Sequence, residues 1–430
     1  MKSNLPPPLD VGTMPPYTQP VFRFPGSFHP PLVRSLLERH PRAELVGDSM
    51  AGCGTSALVS VALGRDAVVA DIDPLACLLT RAKCTPVDPG ELMTTVERLL
   101  DAAGPMGYYA QQIESVQQAT DAMERLTPFR APPNLFLWFH PTIVRDLAHW
   151  LTQVYTHRRE MSSPSMDAVL AVTAGSIRRV SRADPKPVSG LEVTSVRRAR
   201  LRSGLRFDLA GEIRTRAALL GEGYSQLLSQ PRLGRVQVWE SDARDWATLC
   251  RRLRCYPDLQ VTSPPYLHAI NYARRHKLEN MWLGLVDRSK YSAHARRFLG
   301  SNVVSDHADS GSTKELPLSS RQICRRVAQS PSNPQRRTLE RYLLDLDLWL
   351  AQVADVAARS GAPTYIVVGA SSIGDIRIDT PRLVVDIAER HGMELTGESR
   401  HRLVNQRMQY TLRQRRRVRT ESVLSFAPNN

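Results

Sequence analysis

Cysteine is scarce, with six among 430 residues, and no secretory signal accompanies them. That excludes a small disulfide-stapled extracellular module and predicts reduced thiols in a cytoplasmic protein. Cys250 and Cys255 lie close together in an Arg-rich segment, but no second ligand pair joins them, which argues against zinc. No apolar run approaches the length of a membrane helix, and no internal repeat is apparent. Acidic residues are also in deficit, 42 against 57 Lys and Arg, a formal charge of +15. A chain so basic is expected to meet a polyanion, because phosphate contacts release counterions. With 42% hydrophobic residues the chain has ample core for one large domain with insertions, or for two domains.

What is present concentrates in two stretches. In the first, Ala43 to Asp48 is a short apolar run closed by an acid, followed by Ser49-Met50-Ala51-Gly52-Cys53-Gly54-Thr55. Gly52 and Gly54 permit positive φ and close approach of a ligand, and Thr55 to Gly64 carries apolar residues at helical spacing. A ligand's polar end would sit against this turn and the first amides of the helix. Ala67 to Asp71 then reads as a second buried strand, whose terminal carboxylate suits a ribose diol. On its own this pattern fits a dinucleotide, any nucleoside, or a glycine turn with no ligand.

The second stretch is Thr262-Ser263-Pro264-Pro265-Tyr266 at the end of a strand-like run from Asp258. Two prolines fix φ and remove two backbone donors, so the carbonyls there can only accept. An exocyclic amino group of cytosine or adenine offers the two N–H bonds such a corner could take. The Ser263 hydroxyl and Pro264 carbonyl would serve as acceptors and Tyr266 as a stacking plate. The plain alternative is a Pro-Pro turn that ends a strand. The position downstream of a glycine-turn βα unit favours the base-handling reading.

These residues resemble the bacterial S-adenosylmethionine-dependent DNA amino-methyltransferases, which methylate cytosine N4 or adenine N6. Phe24-Pro25-Gly26-Ser27-Phe28-His29-Pro30-Pro31 is similar to the segment that holds the cofactor's methionine end, and Asp48 to Thr55 to the cofactor loop. Asp71-Ile72-Asp73-Pro74 resembles the ribose and adenine edge, Asp242 the acid that reaches the adenine amino group, and Ser263 to Tyr266 the catalytic motif. Thr364 to Ser372, Ile378 to Met393 and Arg407 to Phe426 resemble the remaining strands and helix. The likeness implies a class I methyltransferase fold, an α/β doubly wound and mostly parallel seven-stranded sheet with a helical insertion. It implies S-adenosyl-L-methionine as cofactor, bound by Phe28, Asp48, Ala51, Gly52, Gly54, Thr55, Asp71, Ile72 and Asp242. It also implies a catalytic set of Ser263, Pro264, Pro265 and Tyr266. Double-stranded DNA with a flipped base is the implied substrate, and a cognate restriction endonuclease or defence-system proteins the implied company, in a nucleoid-associated location. Serine at the head of the tetrapeptide favours cytosine N4, with adenine N6 as the first rival. An RNA substrate and a non-catalytic cofactor-binding subunit are further readings. Departures are Ser49-Met50 where Pro-Phe is usual, Cys53 for a serine, Ser27 for a lysine-like position and Asn271 for an aspartate.

Along the chain, residues 1–20 are expected to be a disordered Pro-rich terminus and 21–85 the cofactor-binding part of the domain. A mainly helical insertion is expected over 86–234, with Val96 to Leu100, Tyr109 to Leu126, Pro141 to Thr156 and Met166 to Val180 at helical period. Phe139, Trp138 and Trp150 would anchor it, or stack on nucleic acid. The catalytic part follows at 235–286, then an irregular polar loop over the target at 287–337, then the C-terminal part at 338–430, where Leu339 to Ala358 reads as a helix. Arginines are the main excess. Arg197, Arg198, Arg200, Arg202 and Arg206 form one cluster, Arg413, Arg415, Arg416, Arg417 and Arg419 another, and those of Ser176 to Arg182 are placed toward substrate. Either cluster is a solvated face or a phosphate contact, and the base-handling motif favours the latter. His268 is a candidate proton acceptor or a locally bonded residue, while His29 and His276 read as structural.

Overall fold

The computed structural model of the protein describes residues 13–106, 134–185, 191–267, 271–300, 313–330, 335–402 and 420–429. Its centre is a seven-stranded sheet. The strands are β1 (Leu45–Asp48), β2 (Asp66–Asp71), β3 (Val236–Glu240), β4 (Leu259–Thr262), β5 (Thr364–Gly369), β8 (Met393–Arg402) and β9 (Thr420–Pro428). A separate hairpin pairs β6 (Ser371–Ile373) with β7 (Ile376–Ile378). The order across the sheet is β3-β2-β1-β4-β5-β9-β8, and β9 alone runs against its neighbours. This is the doubly wound, mostly parallel arrangement of the class I methyltransferase fold. The strand order reverses between β1 and β4, so the crevice for a ligand lies beyond the carboxyl ends of those two strands.

Near-continuous apolar strands are what a sheet covered on both faces requires. Ala67 and Val69 of β2 point into one core and Val68 and Ala70 into the other. On β5, Ile366 and Val368 face one way while Tyr365 and Val367 face the opposite way. The polar exception is Gln260 of β4, which is buried but fully bonded: it accepts from Trp246 Nε1 at 2.9 Å and donates to Val353 O and Thr364 Oγ1 at 3.1 and 3.0 Å.

One face carries α1 (Pro30–Glu38), α2 (Thr55–Ala62) and α3 (Pro74–Cys84). Over α2 and α3 lies a further layer made of α4 (Pro89–Ala103), α5 (Pro141–Thr156), α6 (Ser163–Ile177) and α7 (Leu209–Leu228). A single core runs through both layers, from Leu58 and Leu78 to Leu147, Trp150 and Tyr224. Phe139 and Trp150 are wholly buried there, Trp150 donating to Thr173 Oγ1 at 2.9 Å, so both are core rather than stacking residues. Each such large side chain contributes roughly 1.5–3 kcal/mol by leaving water. The other face is covered by α8 (Trp246–Leu253), α9 (Arg336–Ser360) and α10 (Thr380–Arg390). Among the described residues no helix is long and apolar enough to cross a membrane.

Three expectations need correction. Residues 13–20 are ordered rather than disordered: Tyr17 and Thr18 are buried, and Tyr17 N donates to Gln226 Oε1 at 3.0 Å. Glycines make room for this strap. A Cβ on Gly223 would stand 2.6 Å from the Tyr17 carbonyl, and one on Gly175 2.3 Å from Val21 O. The stretch 287–337, expected to be irregular, contains helices at Tyr291–Arg297 and Leu318–Ala328, because Ser320, Ile323, Cys324 and Val327 recur at helical spacing and bury together. Finally, Arg178 and Arg197 do not face a substrate. Arg178 is buried against Glu279 at 3.2 Å, and Arg197 is buried with its guanidinium donating to Arg179 O and Ser181 O. Arg198, Arg200, Arg202 and Arg206 of that cluster are exposed. The second arginine cluster, the expected helix Tyr109 to Leu126, and His268 lie outside the described residues.

Candidate cofactor and transfer site

The glycine turn is built from beneath. Asp48 ends β1 and is buried, its carboxylate accepting from Met50 N at 3.0 Å and from the Ser56 hydroxyl. Burial pushes its carboxyl up to about 6, despite those bonds. Gly52 and Gly54 take φ of 53° and 75°. At Gly54 a side chain is also excluded by space, since a Cβ would lie 2.5 Å from the Thr80 side chain. Asp48 and Gly54 therefore shape the turn from behind the cavity wall, although the sequence marked both as cofactor contacts. Ser49 of the loop accepts from the Trp349 indole at 2.9 Å, a bond that a proline at this position could not make.

Lys83 stands under the same turn, fully buried, with Nζ donating to Cys53 O at 3.0 Å and Gln19 Oε1 at 2.9 Å. Gln19 in turn donates to Thr55 Oγ1 at 2.9 Å, and the Thr18 hydroxyl donates to Lys83 O at 3.0 Å. The ordered strap thus clamps the loop to the first turn of α2.

In front of the turn opens a cavity of about 140 Å³. Ala51, Gly52 and Thr55 line it from α2's side, Asp71, Ile72 and Asp242 from the ends of β2 and β3, and Phe28 from the early segment. Ser263, Pro264, Pro265 and Tyr266 form its opposite wall. Two stretches more than two hundred residues apart in the chain thereby share one space, because β4 lies beside β1.

The polar groups of the two walls are in different states. Asp71 accepts from Gly52 N at 2.8 Å and Asp73 N at 2.9 Å, and burial pushes its carboxyl up to about 7. Asp73 accepts from His276 Nδ1 at 2.6 Å and Asn280 Nδ2 at 3.0 Å. Burial would raise Asp73, but the His276 and Asn280 bonds prevail and hold it below the usual carboxylate range. Asp242 is gripped by Arg244, whose Nε and Nη2 donate at 2.9 and 2.7 Å. Burial opposes ionisation there too, and the Arg244 bonds outweigh it, holding the carboxyl low.

On the other wall, Ser263 Oγ donates to Val367 O at 2.8 Å. Having given its only proton, the hydroxyl faces any further partner as an acceptor. Tyr266 Oη donates to Glu421 Oε1 at 2.7 Å. Burial raises both groups, and the neighbouring carboxylate pushes the phenol higher still. Tyr272 stacks on Phe24 with ring centroids 5.6 Å apart, and its hydroxyl donates to Pro25 O at 3.3 Å. Asn271 accepts from Arg274 N at 2.9 Å and so caps a short helix.

Sequence reasoning missed Gln19, Lys83, Tyr272 and Glu421 as site residues. Gln19 sat in a segment read as disordered, and Lys83 fell on a helix with no motif. Tyr272 and Glu421 each left a faint signal: an aromatic shortly after the tetrapeptide, and the lone acid of a terminal strand.

No protein-family model matches the chain, and no curated protein matches it either. Among solved structures, the chain is similar to the rRNA methyltransferase aviRa from Streptomyces viridochromogenes. The two are 11% identical with a TM-score of 0.31, over 93% of this chain and 85% of that one.

Proposed function

We propose that the chain is an S-adenosylmethionine-dependent methyltransferase acting on an exocyclic amino group of a DNA base, cytosine N4 before adenine N6. The observation that carries this reading is the single cavity onto which both the glycine turn and the Ser263-to-Tyr266 corner open.

The donor set fits the cofactor chemically. Asp71 and Asp242 suit ribose hydroxyls and an adenine amino group, Ile72, Phe298 and Leu299 give an apolar bed, and carboxylates favour a cationic ligand. A Cβ at Gly52 would stand 3.3 Å from the Phe24 ring, so glycine keeps a slot open there. When bound, S-adenosylmethionine supplies a methyl group made electrophilic by its sulfonium. The chain's own residues then present the nucleophile. Ser263 Oγ and the Pro264 carbonyl would accept the two amino N–H bonds. That draws the nitrogen lone pair out of ring conjugation and favours the charge that grows on nitrogen. The prolines hold these acceptors rigidly, so little reorganisation is needed at the moment of reaction. Exposed Arg198, Arg200 and Arg202 would meet the phosphate backbone.

The test is sequential. Calorimetric titration should show binding of S-adenosylmethionine, and duplex DNA treated with protein and cofactor should yield N4-methylcytosine on digestion to nucleosides. N6-methyladenine would move the base assignment, methylation of RNA alone would move the substrate, and absence of cofactor binding would overturn the reading. Ser263→Ala and Tyr266→Ala should abolish transfer while leaving cofactor binding intact.

A further inference from the structure

Transfer to an amino nitrogen leaves a proton to be disposed of. The nitrogen lone pair closes the new N–C bond, the donor's C–S bond opens with its electron pair left on sulfur, and the nitrogen then carries one hydrogen too many. Neither acceptor of the tetrapeptide can take it. Ser263 Oγ is already an alcohol oxygen donating to Val367 O, and a proline carbonyl is too weak a base.

Among the described residues, four carboxylates line the cavity: Asp71, Asp73, Asp242 and Glu421. In the first three, both oxygens are occupied. Asp71 is bonded by the amides of Gly52 and Asp73, Asp73 by His276, Asn280 and the Leu75 amide, and Asp242 by Arg244. Glu421 differs, because Tyr266 binds Oε1 and no described residue bonds Oε2. It is also the carboxylate tied directly to the tetrapeptide, whereas the others belong to the ends of β2 and β3.

We propose that Glu421 is the proton acceptor of the reaction, receiving on Oε2 the hydrogen released by the methylated amine, while Tyr266 fixes the carboxylate through Oε1. The inference rests on the function proposed above. After turnover the proton leaves Glu421 for solvent through the cavity mouth, and atoms and charge balance without a further reagent. Burial raises the Glu421 carboxyl above its ordinary range and the Tyr266 bond pulls it back, which brings its basicity toward that of a working base. The titratable groups that face it are Tyr266 from the tetrapeptide, Tyr272 from the following helix, and His401, its register partner on β8, which stacks on His29 at 5.4 Å. Burial pushes the phenols up, so neither is an anionic base in neutral solution, and it pushes both histidines down, which weakens them as proton acceptors.

The experiment compares wild type with Glu421→Gln and Tyr266→Phe, using S-adenosylmethionine and the DNA that wild type methylates. Single-turnover transfer by Glu421→Gln should fall roughly 100-fold or more. The acidic limb of the wild-type pH–rate profile, where rate climbs as Glu421 ionises, should vanish. Cofactor affinity measured by calorimetry should stay within about twofold. Independently of activity, carboxyl-carbon NMR of protein with ¹³C-labelled glutamate should show one signal that titrates above the ordinary range, is absent from Glu421→Gln, and moves higher in Tyr266→Phe. An unchanged pH profile and rate in Glu421→Gln would overturn the proposal, as would a Glu421 signal that titrates normally. Failure of wild type to bind cofactor or transfer methyl would instead strike the function proposed above.

Discussion

The two walls of the cavity are made of similar residues in opposite states. At the ends of β1, β2 and β3 the carboxylates of Asp48, Asp71, Asp73 and Asp242 accept hydrogen bonds on both oxygens, and a buried lysine, an ordered strap and two positive-φ glycines hold the backbone in place. At the ends of β4, β5 and β9 the bonding is partial: a serine with only acceptor capacity left, two prolines with no donors, and a glutamate bonded at one oxygen. A saturated wall offers a ligand a fixed shape, and a partly bonded wall retains groups that can take further partners. Burial does not separate the two walls; the hydrogen-bonding capacity left over after folding does.

That contrast can be broken by experiment. Asp73→Ala should destabilise the fold by about 3–5 kcal/mol, because His276 and Asn280 lose the partner they were buried against. Denaturant titration would measure it, and Glu421→Gln should shift the same midpoint by less than about 1 kcal/mol. Equal losses would erase the distinction between the walls. Lys83→Met should weaken cofactor binding about tenfold by releasing the Cys53 carbonyl and Gln19, with stability less affected.

The pH response sharpens the contrast further. Asp71 and Asp48, raised to about 7 and about 6, hold protons in the folded chain that they would release when unfolded. Stability from this source is therefore greatest at low pH and declines as pH climbs through those values, by at most about 1.4 kcal/mol per pH unit and proton. Asp73 and Asp242 are held low and stay ionised in both states across that window, so they add no slope there. Thermal unfolding between about pH 5 and about pH 8 would show the decline, and Asp71→Asn should flatten it. The smallest effect lies outside the cavity: replacing Arg198, Arg200 or Arg202 by alanine should lower the salt slope of DNA binding by about 0.9 each, with cofactor affinity untouched.

Much of the architecture was legible because it depends on local pattern. The apolar strands, the glycine turn and the serine-led corner announce themselves within a few residues, and their order along the chain matches a doubly wound sheet. The cavity-lining role of Ala51, Gly52, Asp71 and Ser263 to Tyr266 was legible for the same reason. What stayed hidden depends on contacts between distant segments. Gln19 becomes a site residue only because Gly175 and Gly223 let the strap lie close, and neither glycine carries a motif. Glu421 reaches the cavity only because β9 runs backwards beside β5, which brings the start of that strand to the carboxyl end of the sheet. Asp48 and Gly54 do not line the cavity, since spacing identifies a loop but does not say which side of it faces open space. Arg178 and Arg197 were misplaced because a basic run gives no hint that one member turns inward to bond carbonyls.

The strap also orders events in time. Its anchor on Gln226 is 209 positions downstream of Tyr17. At roughly 5–20 residues per second, a ribosome needs on the order of 10–40 s to reach that anchor after making the strap. Until then Lys83 and the glycine loop lack their clamp, so a nascent chain settles this wall of the cavity only once α7 has been synthesised.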